Sequence, residues 1–250
     1  MTDIDISRVD GIQILRLNRP AKKNALTAAM YASLVDALMS GDSASDVSVH
    51  VILGTDGVFS AGNDLHDFLR TADGSAGLGD DVLRFIRLLP LVGKPLVAGV
   101  DGFAIGIGTT MLLHCDLVYA SERAQFSTPF LNLGLVPEAA SSLLMPARMG
   151  HLRAFEMLVL GNTFSAQQAR DAGLVNAVVH PFELEATVLE AARRLADKPP
   201  EALASARRLM RGDVAAILKR MDEEADAFKQ QLTSPEAKAA LAAFLNKSRG

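Results

Sequence analysis

The spacing of apolar residues changes several times along the chain. "DIDISRVDGIQILRL" alternates apolar with polar around Asp10-Gly11, which predicts a β-hairpin. "LTAAMYASLVDALMS" then shifts to a helical period, with Met30, Tyr31, Leu34, Val35 and Leu38 on one face. Thr27 stands as its N-cap, and Leu26 and Tyr31 are spaced for a hydrophobic staple. "VSVHVILG", "KPLVAGVDG" and "CDLVYAS" are apolar runs that predict buried strands. Between them, "DDVLRFIRLLPL" predicts a helix ending near Pro90, and "GIGTTMLLH" a helix that starts at its glycines. Strands alternating with helices predict an α/β core with mostly parallel pairing. From about residue 136 the pattern is mostly helical, with "GLVNAVVH" as an exception. In "VAAILKRMDEEADAF", residues Val214, Ile217, Leu218, Met221, Ala225 and Phe228 share one face. "SPEAKAALAAFLNK" offers Ser234 as N-cap and Pro235 at the first helical position. The expected organisation is a core over 1–196 and a helical region over 197–250. That region is free to pack on the core or on a neighbouring subunit.

Composition narrows the function classes. Of 250 residues 49% are hydrophobic, enough for one large core. A formal charge of −4 argues against general nucleic-acid binding but leaves an anionic small ligand open. The N-terminus has neither the basic start nor the apolar centre of a signal peptide. No run approaches the ~18 apolar residues of a membrane span. The single cysteine, Cys115, has no internal disulfide partner, which fits a reducing, cytoplasmic setting. The five histidines show no metal-ligand spacing, so no metal is expected.

Two glycine-bearing turns carry the candidate chemistry. "FSAGNDL" (59–65) follows a buried strand and a turn, and its small residues leave room for a backbone N–H to face a ligand. It is no nucleophile elbow, because position 58 is Val where G-x-S-x-G needs Gly, so Ser60 is a poor nucleophile. "GFAIGIG" (102–108) opens a helix, yet it lacks both the dinucleotide fingerprint and the GK[ST] of a P-loop. Either its glycines serve close packing or they leave a helix N-terminal N–H free. The two turns lie about 44 residues apart, each after a buried strand. Two N–H groups converging on one oxygen would form an oxyanion hole.

At this point the sequence resembles the crotonase family, the enoyl-CoA hydratases and isomerases. The match runs through "LNRPAKKNALT", "VFSAGNDL", "KPLVAGVDGFAIGIG", "CDLVYASERAQFSTPF", "LGLVPEAASSLLMPARMG", "ARDAGLVNAVV" and "AFLNKSR" in order, over nearly the whole chain. The "SGNDL"-type loop is similar to that of the peroxisomal Δ3,Δ2-enoyl-CoA isomerase branch. The resemblance implies a crotonase-like (ββα) spiral core, an acyl-CoA substrate, and a homotrimer or dimer of trimers. It assigns the two oxyanion N–H groups to Asn63 and Ile107. Many family members carry glycine at the second position, so Ile107 is expected to restrict φ and thicken the wall.

The two glutamates of family hydratases fall on Thr110 and Phe130, which cannot do their acid–base work. The isomerase-branch base falls on Glu138 in "GLVPEAASS". A plainer reading puts Glu138 in the first turn of an exposed helix. Met111, Phe130 and Leu131 are expected to form an apolar surround that raises the carboxyl's pKa and takes the acyl tail. Ala61, Asp64 and Leu65 are expected to line the substrate. Lys22, Lys23 and Lys247 are expected to meet the CoA phosphates. No cofactor is implied, since coenzyme A is part of the substrate. The expected reaction is a Glu138-mediated shift of a double bond from the 3- to the 2-position. Its rivals are a hydratase or thioester hydrolase on the same fold, and a catalytically silent acyl-CoA binder.

Overall fold

The computed structural model describes residues 3–64 and 79–247, with side chains as far as 243. Leu65 lies outside the described residues, as does the side chain of Lys247. The first hairpin forms as expected: β1 (Ile4–Val9) pairs antiparallel with β2 (Ile12–Leu17). Asp10 and Gly11 both take positive φ in the turn, 50° and 77°. Helix α1 (Ala28–Ser43) follows, and the Thr27 hydroxyl accepts from Met30 N–H as its cap.

Three ββα turns build the core. The first is β3 (Val49–Leu53), β4 (Val58–Ser60) and α2 (Gly79–Leu88). The second is β5 (Leu96–Val100), β6 (Phe103–Ile105) and the single-turn helix α3 (Ile107–Thr110). The third is β7 (Leu117–Ser121), β8 (Gln125–Ser127) and α4 (Ser141–Met149). Beyond them lie α5 (His151–Leu158), β9 (Phe164–Ser165), α6 (Ala166–Asp171) and β10 (Ala177–Val179). Four helices complete the chain: α7 (Leu184–Ala196), α8 (Pro200–Arg211), α9 (Val214–Leu232) and α10 (Pro235–Lys247).

Each turn of the spiral adds one strand to each of two sheets. The larger sheet runs β1-β2-β3-β5-β7-β10 and is parallel from β2 onward; the smaller runs β4-β6-β8-β9. β3 and β5 are buried along their whole length, as a parallel sheet covered on both faces requires. One face packs on Leu184, Val188 and Ala192 of α7; the main core fills the other side. "FSAGNDL" and "GFAIGIG" are therefore not loops throughout, because Phe59, Ser60 and Phe103–Ile105 are strand residues of the second sheet. Met221, Leu232, Ala237 and Leu241 of α9 and α10 are buried in this chain's own core. No helix among the described residues is long and apolar enough to cross a membrane.

Candidate functional site

β4 and β6 are parallel neighbours, with Ser60 level with Ala104. Asn63 and Ile107 each follow three residues later, beyond the carboxyl ends of the same two neighbouring strands. Gly62 marks how close the turns approach: a Cβ there would lie 2.8 Å from the Ile105 carbonyl oxygen. "RPAKKNAL" flanks the outer edge of β4. Leu26 N–H donates to Gly62 O at 2.8 Å, and Leu26 O accepts from Asp64 N–H at 2.8 Å. Backbone groups alternate along an extended strand, so this pairing turns the Asn63 N–H to the opposite edge, toward β6. Buried Asn24 fixes the segment by donating to Val58 O and Phe59 O.

The second N–H comes from the start of α3. Gly106 carries the demanding conformation, φ 57° and ψ −121°, and its carbonyl accepts from Thr109 and Thr110 N–H. Ile107 is the first helical residue and its φ is not positive, so it does not need to be glycine. The expected restriction of φ at Ile107 therefore carries no strain, because Gly106 takes the positive φ. Neither Asn63 N–H nor Ile107 N–H meets an acceptor among the described residues. The Phe130 ring packs against this turn, 3.9 Å from where a Gly106 Cβ would stand. Two adjacent donors in such a setting can serve one ligand oxygen.

Glu138 is no exposed first-turn residue. It precedes α4 by three positions and is 6% exposed. One helical turn beyond Ile107, Thr110 donates its hydroxyl to Glu138 Oε1 at 3.3 Å. The carboxyl is thereby held about one helical turn from the Ile107 N–H. Burial, and then the neighbouring Glu224 charge, push the Glu138 carboxyl up to about 8; the Thr110 bond opposes them. Met111 and Phe130 are buried in the core, whereas Leu131 is 41% exposed.

The remaining expected residues divide. Ala61 N–H donates to Lys23 O at 2.9 Å, so the exposed Lys22–Lys23 segment adjoins the Asn63 turn. Lys23 Nζ lies 5.9 Å above the Phe103 ring. Asp64 is buried and accepts from Arg19 at 2.7 Å, so this carboxylate is engaged in an ion pair. Lys247 ends α10.

Two site residues escape the sequence reading. Tyr31 looks like an ordinary core position of α1, yet its hydroxyl donates to Asn63 Oδ1 at 2.5 Å. Burial, reinforced by Glu138, raises its pKa, which places the phenol within electrostatic reach of that carboxyl. Glu224 on α9 accepts from Ala140 N–H at 2.6 Å and Ser142 N–H at 2.9 Å, on either side of the start of α4. The readable sign was an acid on an apolar helix face, three residues after Met221 and four before Phe228.

Comparison with known proteins agrees with this architecture. The enoyl-CoA hydratase/isomerase family profile matches residues 7–249. Enoyl-CoA delta isomerase 2 of Rattus norvegicus is 39% identical over 218 residues, 86% of this chain and 56% of that protein. The chain thus spans little more than half the length of that relative. The 2,3-dehydroadipyl-CoA hydratase of Escherichia coli is 33% identical over 249 residues, 99% of this chain and 97% of that protein. Among solved structures, Pseudomonas aeruginosa OdaA superposes with a TM-score of 0.93 at 42% identity, covering 98% of this chain and 99% of that one.

Proposed function

The chain belongs to the enoyl-CoA hydratase/isomerase family, and from that premise we propose that it is an acyl-CoA isomerase moving a double bond from the 3- to the 2-position of an enoyl thioester. One observation carries the reading: a buried carboxyl of raised pKa, Glu138, tied through Thr110 to the helical turn that begins with the Ile107 N–H, which meets no acceptor among the described residues. The thioester carbonyl oxygen sits between Asn63 N–H and Ile107 N–H. As Glu138 takes the α-proton, negative charge moves onto that oxygen. Each donor of this kind contributes about 3–4 kcal/mol to the barrier reduction. The π electrons shift from the 3- to the 2-position, and Glu138 returns the proton to the γ-carbon. One C–H bond breaks, one forms, and the carboxylate is regenerated. A base with a pKa near the working pH suits both halves of this transfer.

Hydration needs a second acid–base group to handle water. Thr110 and Phe130 occupy the positions where hydratases of the family carry theirs, and Thr110 is engaged with Glu138. Lys22 and Lys23 meet the CoA phosphates at the edge of the Asn63 turn. A panel of 3-enoyl-CoA thioesters of graded length tests the reading, scored for 2-enoyl, 3-hydroxyacyl and free-CoA products. The conjugated 2-enoyl thioester is expected to dominate. Dominant hydration, CoA release, or binding without turnover would each contradict the proposal.

A further inference from the structure

Helix α9 buries an acid. Glu224 is 7% exposed, on the face that also carries buried Met221. Both of its oxygens are occupied, by Ala140 N–H and Ser142 N–H. These donors flank the N-terminus of α4, whose N-cap is Ala140, a residue with no side chain to cap it. The cap arrives instead from another helix.

The turn it holds is strained. Ala139 and Ala140 both take positive φ, 57° and 56°, where a Cβ is disfavoured. They directly follow Glu138, so their conformation sets where that carboxyl is aimed. The turn is held from two sides. Glu224 grips it from α9, and His114 Nε2–H donates to Ala139 O at 2.8 Å from the short helix after α3. Burial pushes the His114 imidazole down to about 4, so it stays neutral and donates from Nε2.

We propose that Glu224 is a positioning residue for the reaction: its carboxylate holds the left-handed Ala139–Ala140 turn that aims Glu138. The inference rests on the isomerase reading above. Glu138 faces Tyr31 from α1, Thr110 from α3 and Glu224 from α9. Glu224 faces Arg220 on its own helix; Arg220 also reaches the Ser142 hydroxyl at 3.3 Å and pairs with Glu223. His114 lies near Arg148 and Arg211. Burial pushes Glu224 upward, but two backbone N–H groups and Arg220 favour its ionised form. Among the described residues Glu138 accepts only the Thr110 hydroxyl. Glu224 is therefore the better stabilised carboxylate of the two, and its charge disfavours a second charge on Glu138.

The test compares wild type, Glu224→Gln and Glu224→Asp in kcat, KM and the pH profile of kcat/KM. In Glu224→Gln, kcat is expected to fall about 10- to 100-fold through misalignment of the base, with KM within about threefold. The acid limb of kcat/KM should move to lower pH, because the charge that raises Glu138 is gone. Glu224→Asp keeps the charge but loses reach, so its limb should stay at the wild-type pH while kcat falls. A Glu224→Gln enzyme with wild-type kcat and an unmoved limb overturns the proposal. So does a loss of activity with an unmoved limb, which is what a loosened fold alone would give. Should Glu224→Gln not fold, Glu224→Gln/Ala140→Gly relieves the positive φ, and the same limb shift is required of it. If Glu138→Gln leaves isomerisation intact, the isomerase reading has failed by itself. If Glu138→Gln is inactive and Glu224→Gln matches wild type, only the role of Glu224 has failed.

Discussion

Burying Glu138 beside a second carboxylate costs the fold stability. Its ordinary value is 4.5 and its folded value about 8. Below about pH 4.5 it is protonated in both folded and unfolded chains, and no penalty arises. Between the two values the unfolded chain ionises and the folded one does not, so stability falls as pH rises, by about 1.4 kcal/mol per unit of pKa difference at most. The loss is complete above the folded value. Glu138→Gln removes this titration. It should raise Tm relative to wild type near pH 8.5 and leave the difference close to zero near pH 4.5, read by thermal scans at matched protein concentration. A Tm difference independent of pH would contradict the burial argument. Asn63 separates backbone from side chain in the same way. Asn63→Ala keeps the N–H but strands the Tyr31 hydroxyl, with a stability loss of about 1–3 kcal/mol and most turnover retained. Asn63→Pro deletes the donor and should abolish nearly all turnover. Equal inactivity of the two variants, both folded by circular dichroism, would assign the catalytic role to the side chain.

At the scale of elements, what could be read from sequence follows the length and locality of the signal. The Asp10-Gly11 hairpin, the Thr27 cap and the apolar runs of β3 and β5 carry their instructions within a few residues, and they form as expected. The second sheet does not. Its strands β4, β6 and β8 are three residues each, too short to show a period, and contain Ser or Gly-flanked segments that read as turns. Only the family resemblance implied them. The site divides along the same line. The two glycine-bearing turns were legible as a pair because each follows a buried strand, but their donors, Asn63 and Ile107, were implied only by the family resemblance. The relief of Ile107 by Gly106 was not legible, since it depends on which of two adjacent residues takes the odd dihedral angles. Glu138 was implied as a position by the resemblance, and its apolar setting was expected, but its local backbone was not legible: nothing in "PEAASS" announces two left-handed alanines, because alanine is seldom found there. Glu224 left a visible anomaly on its helix face, but its partner lies far back in the chain and only tertiary structure joins them.

In the whole molecule, the spiral explains why residues so far apart in sequence meet. Each ββα turn delivers the end of one short strand to the same edge of the smaller sheet: Asn63 from the first and Ile107 from the second. The segment leading to Glu138 comes from the third. The C-terminal helices close over this edge from behind, with Glu224 reaching the turn after Glu138 and Ala237 packing close to Gly134. The arrangement brings the buried Glu138 carboxyl and the Asn63 and Ile107 N–H groups toward one edge of the smaller sheet. On the isomerase reading, Glu138 alone carries the proton. The most direct measurement is single-turnover isomerisation of a 3-enoyl-CoA by Glu138→Gln, with acyl-CoA affinity measured in parallel. The account predicts a rate lower by roughly 100- to 10,000-fold with nearly unchanged affinity. A folded Glu138→Gln enzyme that isomerises at a rate near that of wild type would contradict it.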